Sequence, residues 1–153
     1  SGIILLAAGA GSWPFELSSK IEIAMDDSVD EEARLEALCF AFFVKNADAV
    51  HWLEGWYPNL VHIQRAARTR TGKDTWWNSG QAPILDVIGL YDPFRPTAEL
   101  DFYQREFGDR VHLETIDNAS HALPDEKPAE VAEAICRWLR NMCQTKMSIS
   151  YKN

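Results

Sequence analysis

The sequence is short of cysteine, of positive charge and of long apolar runs, and each shortage narrows what the chain can be. No stretch approaches the roughly 18 apolar residues that a membrane-spanning helix needs. The apolar opening from Ser1 to Ala8 lacks the basic flank of a signal peptide and reads instead as a buried strand. The three cysteines are Cys39, Cys136 and Cys143. An odd number without short spacing argues against a disulfide framework and for a reducing, cytoplasmic setting. Cys136 and Cys143 stand seven apart on one face of a helical stretch, where thiols commonly serve as small buried hydrophobes. Lys and Arg number 15 against 23 Asp and Glu, a formal net charge of -8. Such a chain repels phosphate backbones and anionic lipid, so neither nucleic acid nor a membrane surface is an expected partner. No glycine-rich phosphate loop follows a strand, which leaves nucleotide binding without support. His51, Glu54 and His62 match no zinc spacing, so no metal and no cofactor are expected.

What is present is an ordinary globular composition, 46% hydrophobic and 25% charged over 153 residues, enough for one domain with a sizeable core. Residues 3–8, 83–89 and 111–116 read as strands. The first two are continuous apolar runs of the kind buried on both faces, the second broken only by Asp86. Helices are expected over 17–25, over 32–44 behind a capping box of Ser28 and Glu31, over 59–68 and 73–78, over 97–107 up to Gly108, and over 128–142. In the last of these Val131, Ile135, Trp138, Leu139 and Met142 trace an apolar stripe. Residues 144–153 are polar and without period, and read as a loose tail. Strand, helical insert, strand, helix, strand, helix is the pattern of an α/β domain with a parallel sheet. The insert, residues 12–80, is far longer than a crossover needs and reads as a lid over the core formed by 1–11 and 81–143. Its tryptophans either fill a satellite core between short helices or line an apolar pocket. The pocket candidates are Trp52, Trp56, Trp76 and Trp77, with Phe94 from the core.

Parallel sheets place their active sites at the carboxyl ends of strands. Two loops stand there: Gly89 to Pro96, containing Asp92, and Asn118 to Pro128, containing His121. A carboxylate at one strand end and an imidazole at the next can meet as an acid and base pair. The carboxylate then holds the ring tautomer and stabilises the imidazolium that forms when a nucleophile loses its proton.

The run G-x-x-D-x-x-x-P, then H-x-L-P-x-E-x-P, then a Trp-bearing terminal helix resembles the C-terminal part of an α/β hydrolase with a helical cap. The resemblance covers residues 1–142, firmest from Ala82 onward and loosest in the cap. It implies that Asp92 is the catalytic acid after the seventh strand and His121 the base after the eighth. It also implies that residues 3–8 are the sixth strand and 12–80 the cap. The implied activity is hydrolysis of an ester, amide or related acyl bond in a small apolar substrate. The sequence departs from the family pattern in one large respect: no G-x-S-x-G elbow and no oxyanion loop occur in it. Ser120 precedes His121 where many relatives have Gly, and it is the first residue to test should a nucleophile lie within the chain. The nucleophile is therefore expected outside this chain, and the expected partners are the N-terminal half of the hydrolase or a second copy of this chain paired through its first strand. An aspartate nucleophile would make the protein a dehalogenase or epoxide hydrolase instead, and a non-catalytic module is the reading from another class. The first strand carries no Lys, Pro or inward charge, so its outer edge is an expected pairing surface that a lysine at Leu5 should disrupt.

Overall fold

The structure is a computed structural model and describes residues 1–10, 14–54, 57–72, 75, 77 and 80–150. Its centre is a three-stranded parallel sheet in the order β1-β2-β3, with β1 at Ile3–Leu6, β2 at Ile84–Gly89 and β3 at Val111–Ile116. Every residue of β2 is buried, as a central strand covered on both faces requires. Its two faces differ. Leu85 and Val87 point with Ala7, Ile116 and Leu123 toward Val131 and Trp138 of the long helix α6, Pro128–Ser150. Ile84 points the other way, with Leu5 of β1, toward Tyr103, Phe102 and Phe107 of α4, Phe102–Phe107. The helix α4 stops because Gly108 takes a φ of 66°, a left-handed conformation that glycine adopts without a Cβ penalty. At the end of β1, Ala7 is held at φ 49° while its N–H donates to the Val87 carbonyl, so the strand leaves the sheet sharply.

Between β1 and β2 lies the helical insert: α1 at Phe15–Met25, α2 at Glu31–Phe42 and α3 at Pro58–Arg70. Leu17, Ala24, Ala37, Leu38, Ala41 and Phe42 give α1 and α2 a shared apolar core, which Phe43 and Ala49 extend. Two residues of the strand-end loops, Phe94 and Ala122, belong to that same cluster, so the insert packs directly on the loops that carry Asp92 and His121. The short helix α5, Leu123–Glu126, sits between the histidine loop and α6.

Several sequence expectations are corrected by these elements. The capping box at Ser28 is not formed. Ser28 instead gives both its N–H and its hydroxyl to Asp26, and Asp30 caps α2 by accepting the Ala33 N–H at 3.0 Å. Aspartate is as good a cap as serine, and its position two residues later leaves Glu31 and Glu32 in the first turn, where the helix dipole favours negative charge. The helix expected over 97–107 is two pieces, a 3₁₀ turn at Thr97–Glu99 and then α4. The helix expected over 73–78 falls largely outside the described residues. The tail expected from Gln144 is helical as far as Ser150, because nothing in the sequence stops α6 earlier. Leu139 and both Cys136 and Cys143 are exposed on α6, not buried. The buried line of α6 runs through Val131, Ala134 and Trp138, which leaves the thiols on the side away from the sheet. Among the described residues, no helix is long and apolar enough to cross a membrane.

Asp86, the one charge in β2, is resolved by Arg95. The guanidinium forms two bonds to the carboxylate, both 2.9 Å, with the two side chains 0% and 1% exposed. Burial pushes the Asp86 carboxyl above its usual range, and Arg95 partly offsets that rise. Arg95 also lies over the Tyr103 ring, 5.2 Å from its centroid, and the Tyr103 hydroxyl donates to the Gly9 carbonyl at 2.8 Å. This pair ties the loop after β2 back beneath the sheet. Removing one partner strands a buried charge, so Asp86→Ala is expected to lose about 3–5 kcal/mol of unfolding free energy in urea titrations. Leu139→Ala, at a side chain that is 46% exposed, should stay within about 0.5 kcal/mol of the parent.

Candidate active site

The geometry of the site follows from the pairing of β2 with β3. Gly89 stands opposite Ile116 in register, so both strands end at the same level and their loops leave side by side. The loops are then joined by backbone bonds. The Leu90 N–H donates to the Ile116 carbonyl at 3.0 Å, and the Tyr91 N–H to the Ala119 carbonyl at 2.9 Å. The Ser120 hydroxyl donates to the Tyr91 carbonyl at 3.3 Å. Asn118 turns the histidine loop at φ 50°, a conformation asparagine tolerates better than most residues.

Asp92 is fully buried and uses both carboxylate oxygens. Oδ1 accepts the Phe94 N–H at 2.8 Å, closing the turn at Pro93. Oδ2 lies 2.9 Å from Nδ1 of His121. An ionised carboxylate can only accept, so His121 donates its Nδ1–H and its Nε2 is left as the basic nitrogen. One side chain thus both closes the turn and meets the imidazole. The His121 side chain is 25% exposed, enough to be reached from one side. Its ring is flanked by Phe94, with centroids 4.1 Å apart, and by Phe42 from the end of α2 at 5.7 Å.

Of the pocket candidates, Phe94 and Trp52 stand at this cluster. Trp52 tilts against Phe42 at 5.4 Å and donates its indole N–H to Asp125 at 2.6 Å. Phe94 is 5% exposed, so in this arrangement it is packing for the imidazole more than open surface. Trp77 is not brought to the pair. It packs on Phe102, Tyr103 and Phe107, in the core between the sheet and α4, and its indole N–H bonds to Glu106. Trp56 and Trp76 lie outside the described residues. Among the described residues, no cluster of three His, Cys, Asp or Glu side chains could hold a metal.

Sequence reasoning did not single out four residues that shape the site: Phe42, Gly89, Arg95 and Glu126. For Arg95 the signal was present, since a charge in a buried strand requires a nearby cation and Arg95 is the first one after it. Glu126 stood in the motif without a role, and it accepts the Ser120 N–H at 2.6 Å. Gly89 marks a close approach that only coordinates reveal. A Cβ there would fall 2.6 Å from the Ala119 carbonyl carbon and 2.7 Å from the Ser120 oxygen, and closer still to the Ala119 oxygen.

Against this geometry stand the comparisons with known proteins. No family model matches the chain, and no curated protein matches it. Solved structures do match. A thermophilic esterase superposes with a TM-score of 0.61 at 17% identity, covering 92% of this chain and 56% of the other. A candidate hydrolase of Bacillus subtilis gives 0.57 at 15% identity, covering 89% and 50%. An esterase of Thermogutta terrifontis with malate bound gives 0.55 at 19% identity, covering 92% and 56%. The chain thus has an α/β-hydrolase-like fold and spans about half the length of these structures.

Because the obstacle at residue 89 is backbone and cannot rotate away, Gly89→Ala is expected to push the two loops apart. The expected outcome is a loss of about 1–3 kcal/mol of stability, as for overpacked cores. A downfield proton resonance from His121 Nδ1–H, visible in the parent by NMR, should disappear in the variant. A Gly89→Ala protein with parental stability and an intact resonance would contradict the close packing.

Proposed function

We propose that the chain supplies the acid and the base of an α/β-fold hydrolase acting on an ester, amide or related acyl bond. The observation that carries this reading is the 2.9 Å bond between buried Asp92 and partly exposed His121 at adjacent strand ends. In the reaction, Nε2 of His121 takes the proton of a nucleophile as that nucleophile bonds to the carbonyl carbon, and the carbonyl electron pair moves onto oxygen. The imidazolium, stabilised by Asp92, then protonates the leaving alkoxide or amine as the tetrahedral centre collapses. Water repeats both steps on the acyl intermediate. The nucleophile and the oxyanion donors come from outside these 153 residues, since no elbow sequence occurs among them. The rings of Phe42 and Phe94 make the surroundings of His121 apolar, which favours a small apolar acyl group.

The test is hydrolysis of p-nitrophenyl acetate and butyrate. The isolated chain should give no more than the background of free imidazole, because one oxyanion donor alone is worth roughly 10²–10³ in turnover. In the protein that carries this chain together with its nucleophile, His121→Ala should abolish turnover. Asp92→Asn keeps an oxygen for the Phe94 N–H but turns an amide N–H₂ toward the ring. It should cost about 10⁴ in kcat by selecting the wrong tautomer. Unchanged kcat in His121→Ala would end the reading. Turnover by the isolated chain that vanishes in His121→Ala would instead place the nucleophile within it.

The place where the remaining part would join is the outer edge of β1. Ile3, Ile4 and Leu6 are 39%, 38% and 38% exposed, and among the described residues β1 pairs with β2 alone. Leu5, the position that first suggests itself for a charge, packs inward on the Tyr103 cluster and would disturb the core. Ile4→Lys is the cleaner variant. The isolated chain should sediment as a self-associated species through this edge, and Ile4→Lys should return it toward monomer at unchanged helicity. A parent chain that is already monomeric at micromolar concentration defeats the edge assignment.

A further inference from the structure

Glu126 joins the histidine loop to the end of a cap helix. One carboxylate oxygen accepts the Ser120 N–H at 2.6 Å and the other accepts the Val44 N–H at 2.5 Å. Ser120 immediately precedes His121, and Val44 lies two residues beyond the end of α2. On the other side of the histidine, the Ala122 N–H donates to the Phe42 carbonyl at 2.7 Å. Both neighbours of His121 are therefore tied to the same end of α2, one through Glu126 and one directly. The Phe42 ring at that helix end also lies against the imidazole. A carboxylate with both oxygens engaged by backbone donors holds those donors at a fixed separation, and charge-assisted bonds of this kind are short and strong.

We propose that Glu126 is a positioning residue for His121, setting the histidine loop against the last turn of α2 so that displacement of the cap is transmitted to the imidazole. Three separate observations agree on this coupling: the bifunctional carboxylate, the direct bond from Ala122, and the contact of Phe42 with the ring. A cap seated by substrate would then hold the base in line with its acid, and a displaced cap would loosen it. The functional meaning rests on reading His121 as a general base, but the positioning itself is measured without turnover.

The experiment is NMR on the isotopically labelled chain, reading amide exchange and the His121 ring. In Glu126→Gln one acceptor oxygen is replaced by a donor, so one of the Ser120 and Val44 amides should exchange about 10- to 100-fold faster, the size of one lost charge-assisted bond. In Glu126→Ala both should do so. In each variant the His121 Nδ1–H resonance should broaden and the ring nitrogen shifts should move toward a mixture of tautomers, while amides of β2 keep their protection. Glu133→Gln, at an exposed side chain on α6, should change none of these. Glu126→Asp keeps the charge but is a methylene shorter, too short to span both donors, and should reproduce the Gln result should the Ala variant fail to fold. Unchanged Ser120 exchange and an unchanged His121 signal in Glu126→Gln would overturn the proposal. So would exchange that rises alike across β2 and the loops, which is the mark of a merely structural staple. A lost ring signal with unaltered kcat in the complete enzyme would leave the positioning standing and remove the reading of His121 as the base.

Discussion

The in-register parallel pairing of β2 with β3 is the constraint from which the rest of the molecule takes its form. Opposite each other at the strand ends stand Gly89 and Ile116, and Asp92 and His121 both follow within a few residues of that pair. Parallel strands that end together send their loops out in the same direction, and the missing Cβ at residue 89 lets those loops touch through their backbones. Backbone contact matters because it cannot be relaxed by a rotamer change. The distance between Asp92 and His121 is consequently set by main-chain bonds at Leu90 and Tyr91, and the two side chains have little left to adjust. Shifting the register by one residue would turn Leu85 and Val87 away from α6 and separate the loops in the same movement.

The helical insert adds a second layer of packing. Phe94 and Ala122 belong to the apolar cluster of α1 and α2, so the loops that carry Asp92 and His121 are themselves part of the insert's core. Asp125 and Glu126 extend that contact in polar form, Asp125 holding Trp52 and Glu126 holding the backbone beyond α2. The insert and the two strand-end loops are therefore packed as one unit, joined by apolar contacts and by carboxylate bonds to the backbone and to an indole.

Much of this was legible in the sequence, and the reasons are local. Ile84 to Gly89 announces a buried strand because apolar residues on both faces leave no other stable place for it. Asp92 and His121 announce themselves by standing just past such strands in the right order. What was hidden depends on contacts across the fold. Spacing placed Trp77 in an aromatic stretch with Trp52, yet the two lie in separate clusters, because the chain between them traverses a whole helix. Ser28 offered a capping pattern, and Asp30 took the role since either residue satisfies the same N–H groups. The exposure of Cys136 and Cys143 turns on the phase of α6 against the sheet, which Trp138 fixes and periodicity alone does not.

The buried pair of Asp86 and Arg95 acts on arrangements that never form. Arg95 keeps one nitrogen, Nε, without a hydrogen-bond partner, so the interior does not satisfy it completely, and two apolar side chains of similar size could serve stability as well. Its influence falls on the alternatives. If the loop after β2 docked one residue out of place, a bare carboxylate would remain in the middle of the sheet. The same error among leucines and valines would pass almost unpenalised. The loop that brings Asp92 to its bond with His121 thus carries, one layer below, a charge that makes near-miss packings far worse than the correct one.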